Sequence, residues 1–244
     1  MTVVDRALLS RPTLEVARAL LGARLVRDAD GASGPASATG RRVGRIVELE
    51  AYVGEDDRAS HARFGPTGRN RIMFGPPGMA YVYLVYGMYD CLNIVTEPAG
   101  EAAALLVRAV EPLEGADAMR EARLAWIAGR RRWLQPAAIE RERERLAGLR
   151  DDRLASGPGL VAAAFSIDRS HSGLDLCDPA SPLRLENAPT GEGAPEIVAG
   201  PRVGVAYAGA EWAARPWRFA VRGSPALSGP PLPVRSVPVP PSRG

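Results

Sequence analysis

Residues 44–98, the part of the sequence richest in strand patterns, read GRIVELEAYVGEDDRASHARFGPTGRNRIMFGPPGMAYVYLVYGMYDCLNIVTEP. This part holds five of the six tyrosines, although aromatic residues make up only 6% of the 244-residue chain. Residues 80–86 and 91–95 are rich in β-branched and aromatic side chains, which is typical of strands. The short Gly-containing segment between them predicts a hairpin turn. The sheet and any chemistry based on tyrosine are therefore expected in the same part of the chain.

Helix and strand patterns continue on both sides of this stretch. Apolar residues at helical spacing over residues 13–21 are followed by Gly22, which is typical of a helix C-terminus. The other predicted elements are strands over 43–53 and 104–110, one or two charged helices over 114–149 with Pro136 opening the second, and a strand that ends the segment 211–222. Together they predict an α+β fold: a single domain with a curved antiparallel β-sheet core, flanking helices and a protruding β-hairpin.

Composition sets the expected limits of this domain. We expect it to cover residues 1–228, with a surface loop at residues 28–41 and a charged helical segment at residues 116–155. Residues 187–201 predict a second loop. Residues 229–244 are rich in proline and predict a disordered tail.

The charged residues exclude several kinds of chemistry. All 31 basic residues are arginine, and 28 acidic residues leave a net charge of +3. A lysine Schiff base or a P-loop Gly-Lys-Ser/Thr motif is therefore impossible, even if the absence of lysine reflects only the codon bias of a GC-rich genome. Two cysteines and two histidines argue against a structural zinc site, so we expect no metal and no cofactor.

No feature of the sequence points to a membrane. No apolar run reaches the roughly 18 residues that suggest a membrane span. The first residues contain Asp5 and no cleavable apolar stretch, so we expect no signal peptide and a cytoplasmic protein.

Alternation of side chains along the predicted strands places the tyrosines on two faces. Tyr81 and Tyr83 share one face with Val85, whereas Tyr86 points to the other face beside the turn. One interpretation is an ordinary aromatic β-sheet core. The other is a functional surface, because phenols near a turn are difficult to bury when each hydroxyl needs a partner.

The strand at residues 43–53 carries two candidate general bases. By the same alternation, Glu48, Glu50 and Tyr52 share a face with Ile46. A carboxylate beside apolar and aromatic side chains is a candidate base with a perturbed pKa, and the alternative is a solvent-exposed strand face. Alternation alone does not choose between Glu48 and Glu50. His61 has no second ligand at metal-binding spacing, so a capping or stacking role is favoured over metal binding.

Residues 44–115 resemble the alkyladenine (3-methyladenine) DNA glycosylase family. The matching motifs are VELEAY, SHARFGPTGRNRIMF, PGMAYVYLVYGMYDCLNI and LLVRAVEPLEG. Weaker matches extend the resemblance over residues 8–228, in LEVARALLGARLV, SGPGLVAAAFSI, GPRVGV and EWAARPWRFAVRGSP.

The resemblance implies a role for each motif residue. It selects Glu50, oriented by Arg108, as the carboxylate that activates water. The implied base pocket consists of Tyr52, His61, Tyr83 and Asn93. The implied wedge that enters the DNA groove consists of Tyr86, Met88 and Tyr89. The implied phosphate contacts are Thr67, Arg69, Arg169 and Arg202.

The resemblance also implies an activity and a partner. The expected enzyme flips damaged purines of the 3-methyladenine, hypoxanthine and ethenoadenine class out of double-stranded DNA, hydrolyses the N-glycosidic bond and leaves an abasic site. Because the chain lacks the lysine that strand-cleaving glycosylases use, we expect no lyase activity, and we expect a monomer. Two alternatives are a DNA-binding protein that cleaves nothing and an enzyme acting on free nucleosides. The implied base favours the enzyme over the first, and the implied wedge favours DNA over the second.

Overall fold

The long strand β2 lies at the centre of the sheet. The structure, a computed structural model, describes residues 2–28, 40–85, 87–131, 133–191 and 193–232. Within these residues the strands are β1 (Arg24–Arg27), β2 (Arg42–Val53), β3 (Ala80–Val85), β4 (Tyr89–Val95), β5 (Ala103–Glu114), β6 (Leu183–Glu186), β7 (Ile197–Gly200) and β8 (Arg218–Val221). The α-helices are α1 (Arg6–Leu9), α2 (Thr13–Leu20), α3 (Ala116–Arg130), α4 (Pro136–Ala147), α5 (Pro158–Ala164) and α6 (Ala210–Ala214).

The sheet is antiparallel and branches at β2. Its main path runs β3-β4-β5-β2-β1-β6, and β8 joins β2 beside β1 and also pairs with β7. The first part of β2 pairs with β1, whereas Glu48, Leu49 and Glu50 pair with β8. The β2–β5 register shifts on both sides of Glu48, and such irregularities bend a strand and increase its twist. The predicted α+β fold with a curved antiparallel sheet and flanking helices is therefore confirmed.

The two faces of the hairpin enter different clusters of buried side chains. Val82 and Leu92 belong to the main core, where α2 and α5 pack on the sheet. Tyr81 and Tyr83 lie on the opposite face with Met73. The prediction that Tyr81 and Tyr83 share one face is confirmed.

The helical predictions are close to the observed elements. The segment predicted at residues 114–149 forms α3 and α4, and Pro136 is the first residue of α4, where its missing N–H costs nothing. No helix in the described part of the chain is long and apolar enough to cross a membrane.

Two regions outside the core need correction or comment. The prediction of a loop throughout residues 187–201 is wrong, because the apolar run Ile197–Gly200 forms β7 and pairs with β8. Most of the predicted surface loop, residues 29–39, lies outside the described residues, as do residues 233–244 of the predicted tail. The start of that tail is held against the sheet, since the Arg218 guanidinium donates to the carbonyls of Ser228 (3.0 Å) and Pro230 (2.7 Å).

Candidate active site

Glu50, on the half of β2 that pairs with β8, is a fully buried carboxylate with two hydrogen-bond donors and one ion-pair partner. Its Oε1 accepts from the Val203 N–H (2.7 Å) and lies 3.2 Å from Arg108 Nη1. Its Oε2 accepts from the Tyr52 hydroxyl at 3.0 Å. Burial raises the pKa of Glu50 above its usual range, and Arg108, the Val203 N–H and the Tyr52 hydroxyl oppose that rise. A carboxylate with a raised pKa, held in one orientation, is suited to accept a proton near neutral pH.

Glu48 is equally buried but has different partners. Its Oε1 accepts from Arg108 Nε (3.0 Å) and Arg218 Nε (2.8 Å), and its Oε2 accepts from the Ser228 N–H (2.7 Å). Arg108 therefore joins the two carboxylates through different nitrogens. Glu48 ties β2, β5 and β8 to the C-terminal segment, and its charge is balanced by two guanidinium groups.

A cleft with about 340 Å³ of empty space opens to solvent beside Tyr52, the hydrogen-bond partner of Glu50. Its lining residues are mostly aromatic and comprise Tyr52, Ala59, His61, Met73, Tyr81, Tyr83, Asn93, Ala104 and Tyr207. The Tyr52 side chain lines the cleft and donates its hydroxyl to Glu50, so it links the cleft to the buried carboxylate.

His61 is a neutral wall of this cleft. Its Nδ1 hydrogen-bonds with the Tyr81 hydroxyl at 3.1 Å, and its ring meets Tyr83 edge-on with centroids 4.4 Å apart. Burial, together with the nearby Arg69 and Arg63 guanidinium groups, lowers the pKa of His61 to about 4. At neutral pH the imidazole is therefore uncharged and does not repel a cationic ligand.

The remaining polar groups of the cleft are fixed in orientation or protonation. The Asn93 amide is buried and donates to the carbonyls of Tyr81 (3.0 Å) and Cys91 (3.3 Å). Burial raises the pKa values of the Tyr52 and Tyr83 phenols, so both are neutral at physiological pH. The four residues predicted as the base pocket, Tyr52, His61, Tyr83 and Asn93, therefore line one cleft.

The hairpin turn presents Met88 and anchors Tyr89. Gly87 has φ of 70°, in the left-handed region that favours glycine, and Met88 is 55% exposed. The Tyr89 ring is half-buried and stacks on Trp126 of α3, with centroids 4.8 Å apart and an interplanar angle of 17°. Tyr86, the predicted wedge, lies outside the described residues.

The predicted phosphate contacts differ in exposure. Thr67, Arg69 and Arg169 are exposed. The Thr67 hydroxyl donates to Asn70 Oδ1 (2.9 Å), and Arg69 donates to the Leu84 carbonyl (3.1 Å). Their positions leave them accessible to a ligand outside the cleft.

The interpretation of Arg202 as a phosphate contact is wrong. Its side chain is fully buried, and its two terminal nitrogens donate to the two oxygens of Asp57 at 2.6 Å and 2.9 Å. The guanidinium also lies over the Tyr52 ring, 4.8 Å from its centroid. Arg202 therefore supports the pocket wall and the segment whose Val203 N–H contacts Glu50, and a phosphate cannot reach it without unfolding that segment.

Sequence reasoning missed three contributors to the site. Tyr207 lines the cleft and lies outside the tyrosine-rich stretch, with its hydroxyl donating to the Ala59 carbonyl at 3.0 Å. Val203 contributes only its backbone N–H, which side-chain patterns cannot reveal. Arg218 acts through Glu48, and only the pairing of β8 with β2 brings the two together. The described residues contain no group of three His, Cys, Asp or Glu side chains that could hold a metal ion.

Comparison with known proteins gives a consistent result. The family model described as methylpurine-DNA glycosylase matches residues 7–225. A protein named "Putative 3-methyladenine DNA glycosylase" from Methanocella arvoryzae is 47% identical over 93% of this chain and 96% of its own length. A protein of the same name from Myxococcus xanthus is 43% identical over 98% of this chain and 100% of its own length. The human DNA-3-methyladenine glycosylase is 42% identical over 89% of this chain and 65% of its own length.

Proposed function

The chain belongs to the methylpurine-DNA glycosylase family, whose members are base-excision-repair hydrolases that act on DNA, and we propose from this that it releases damaged purines of the 3-methyladenine, hypoxanthine and ethenoadenine class from duplex DNA. The observation that carries the proposal is the buried Glu50 carboxylate, joined by the Tyr52 hydroxyl to an aromatic cleft. The base occupies the cleft, and the sugar to which it is attached faces Glu50.

Glu50 activates the water that attacks the sugar. Cleavage of an N-glycosidic bond builds positive charge on the sugar, as in glycoside hydrolysis. The ionised Glu50 carboxylate accepts a proton from water as the water oxygen bonds to the anomeric carbon, and the bond to the base breaks with its electron pair leaving on the base. Arg108 and the Val203 N–H hold Oε1 of Glu50 during this step. The carboxylate also stabilises the charge that develops on the sugar.

The cleft favours cationic or electron-poor purines. An alkylated purine such as 3-methyladenine is a cation and is attracted to the electron-rich faces of Tyr52 and Tyr83. Neutral His61 adds no repulsion. The Asn93 amide, held by two backbone carbonyls, excludes guanine because the exocyclic amine of guanine would collide with it.

Base capture uses the hairpin turn. A base that leaves the duplex creates a gap, and an apolar or aromatic wedge inserted through the minor groove stabilises the distorted DNA. We assign this role to Tyr86, with the exposed Met88 beside it. Thr67, Arg69 and Arg169 contact the phosphates around the lesion, since arginine suits bidentate phosphate binding.

Base release leaves an intact strand. The chain has no lysine to form a Schiff base with the sugar, so the product is an abasic site without β-elimination. We propose that the protein acts as a monomer on DNA, because all the groups assigned above come from one chain.

A panel of duplex oligonucleotides, each with one damaged purine, tests the proposal. The expected result is release of at least one of hypoxanthine, 3-methyladenine and ethenoadenine, with strand breaks only after alkali treatment. Free inosine serves as the control and should remain intact. Release of no base from any duplex would contradict the proposal, and strand breaks without alkali would contradict the hydrolytic mechanism.

The wedge role is tested with Tyr86→Ala. Binding of this variant to a lesion-containing duplex and to an undamaged duplex is compared in one assay. Loss of the wedge should remove the preference for the lesion and leave the weak binding to undamaged DNA. Unchanged lesion preference and unchanged excision would contradict the wedge role.

A further inference from the structure

The C-terminal part of α3 contacts the hairpin turn and the start of β4 through two side chains. Trp126 and Arg130 are four residues apart and therefore lie on the same face of α3. The Trp126 ring stacks on Tyr89, and Arg130 Nη2 donates to Asp90 Oδ2 at 2.8 Å. Arg130 Nη1 also donates to the Gly87 carbonyl at 3.4 Å, inside the turn itself.

The Arg130–Asp90 ion pair joins a buried carboxylate to a guanidinium that is about one-third exposed. The Asp90 side chain is only 4% exposed, so its ion pair with Arg130 is screened less than a surface pair. Asp90 Oδ1 has no hydrogen-bond partner in the described structure, and Arg169 Nε lies 4.0 Å from it. Arg130 is therefore the principal partner of a buried carboxylate at the start of β4.

Helix α5 also contacts the Tyr89 side chain. A Cβ atom added at Gly159 would lie 2.5 Å from the Tyr89 ring, so the backbone of α5 touches that ring directly. The Tyr89 side chain therefore contacts both the Gly159 backbone and the Trp126 indole. These contacts leave Tyr89 little freedom to move relative to the body of the protein.

The tip of the hairpin, in contrast, is open on its outer side. A Cβ atom added at Gly87 would meet nothing within 4 Å, and Met88 is 55% exposed. The Met88 N–H closes the turn by donating to the Val85 carbonyl at 3.0 Å. Gly87 and Met88 therefore project from the segment that Tyr89 and Asp90 hold against the body of the protein.

We propose that Trp126 and Arg130 are positioning residues for base capture, which hold the wedge-bearing turn at a fixed height relative to the cleft. This inference rests on the proposed function, because it concerns how that function is carried out. Capture requires the turn to fill the gap while the base enters the cleft, so both must be correctly placed at once. A turn that is already fixed in the free protein does not lose conformational entropy on binding. The inference gives the charged helical segment a role in the reaction.

The consequence is specific to duplex DNA. Flipping from a duplex needs the wedge, whereas a base in a single strand reaches the cleft without leaving a paired stack. Loss of one charge-assisted hydrogen bond or one aromatic stack changes an equilibrium by about tenfold. When a contact of Trp126 or Arg130 with the hairpin is removed, the rate of excision from duplex DNA should therefore fall about tenfold relative to the rate from a single strand.

The test measures single-turnover excision of hypoxanthine from a duplex and from the same single strand. The variants Trp126→Leu and Arg130→Gln should lower the duplex-to-single-strand rate ratio about tenfold. A ratio is used because partial unfolding of a variant lowers both rates equally and cancels. Arg143→Gln is the matched control, since Arg143 on α4 pairs with Glu121 (2.6 Å) and Glu140 (3.4 Å), away from the hairpin.

Two further comparisons separate positioning from general destabilisation. Arg130→Lys keeps a cation near Asp90 and should restore most of the ratio. Asp90→Asn combined with Arg130→Gln should lower the ratio no more than either change alone, because both remove one contact. Equal loss on both substrates, an unchanged ratio, or an additive double variant would each overturn the proposal.

Hydrogen exchange on the free protein provides an independent readout. Trp126→Leu and Arg130→Gln should speed amide exchange in the peptide covering residues 85–91, and Arg143→Gln should not. If the wild-type protein released no base from any DNA, the proposed function would fail. Faster amide exchange in the two variants would still support the role of Trp126 and Arg130 in holding the hairpin. Unchanged amide exchange in the two variants would contradict that role, whatever the outcome of the excision assay.

Discussion

Two carboxylates on β2, only two residues apart, have the same burial and different surroundings. Glu48 and Glu50 are both fully buried, and Arg108 contacts both. Glu48 is enclosed by two arginines and a backbone N–H. Glu50 shares one arginine, accepts one backbone N–H and takes its last donor from Tyr52, a residue that lines the cleft.

Under the proposed function, partners rather than burial separate the structural carboxylate Glu48 from the reacting carboxylate Glu50. Glu48 sits where β2, β5 and β8 meet the C-terminal segment, and its two guanidinium partners balance its charge. Glu50 lies beside the cleft, and burial raises its pKa. The first arrangement stabilises the sheet, and the second suits the proton acceptor of the proposed reaction.

The largest effect on stability is expected for Glu48→Gln. The amide cannot balance Arg108 and Arg218, and a broken buried ion pair costs about 3–5 kcal/mol. Urea unfolding should show this loss with an unchanged m-value. A loss below about 1 kcal/mol, the size of a surface pair, would show that Glu48 does not hold the sheet together.

Arg202→Met should be the next most destabilising change. It leaves the Asp57 carboxylate buried without its guanidinium partner, which costs about 3 kcal/mol. The salt dependence of DNA binding should be unchanged, because the Arg202 side chain has no exposure. Arg69, which is exposed, provides the contrasting variant. Arg69→Gln should leave stability unchanged and reduce the slope of log K for DNA binding against log salt concentration by about one. The reverse pattern would restore Arg202 as a phosphate contact.

Tyr52→Phe tests the link between Glu50 and the cleft. The proposed mechanism requires ionised Glu50, so the excision rate should rise with pH through a pKa above the usual carboxyl range. The Tyr52 hydroxyl lowers that pKa, and a hydrogen bond to a charged group corresponds to a shift of about one pH unit. The midpoint of the single-turnover pH profile should therefore move upward by about one unit in the variant. An unchanged midpoint would show that the hydroxyl does not influence the reacting carboxylate.

The smallest effect concerns His61 and the pH dependence of stability. The pKa of His61 is lowered to about 4 in the folded protein, so between the ordinary value of about 6.5 and about 4 the unfolded chain binds a proton that the folded chain does not. Stability should therefore fall as the pH drops through this window, and His61→Gln should make the fall shallower. His171→Gln, outside the cleft, is the control. Equal slopes for His61→Gln and the wild type in urea unfolding at pH 7 and pH 4.5 would contradict the assignment.

Most of the sheet and the cleft could be predicted from the sequence. The alternation of side chains correctly placed Tyr81 and Tyr83 on one face, because a strand has a period of two. The turn of the hairpin followed from Gly87. The choice between Glu48 and Glu50 did not follow from alternation, since both point to the same side and the distinction depends on partners from β5, β8 and residues 203 and 228.

The parts that could not be predicted depend on contacts between distant segments. Nothing near Arg202 in the sequence shows that it pairs with Asp57, so its place in a matched motif predicts a phosphate contact. Tyr207 and Trp126 reach the cleft and the hairpin from segments far along the chain. The sequence predicts a loop at β7 because this short run of four residues follows a small and polar segment.

The assignment of Glu50 as the reacting carboxylate is tested by comparing Glu50→Gln with Glu48→Gln in one experiment. Single-turnover excision of hypoxanthine and binding to the same duplex are measured for both, with each rate scaled to the folded fraction. Glu50→Gln should bind the lesion and lose about 10²–10⁴-fold in excision, the range for a general base. Glu48→Gln should lose much less per folded molecule. Full excision by Glu50→Gln, or equal losses in the two variants, would contradict the assignment of Glu50 as the reacting carboxylate.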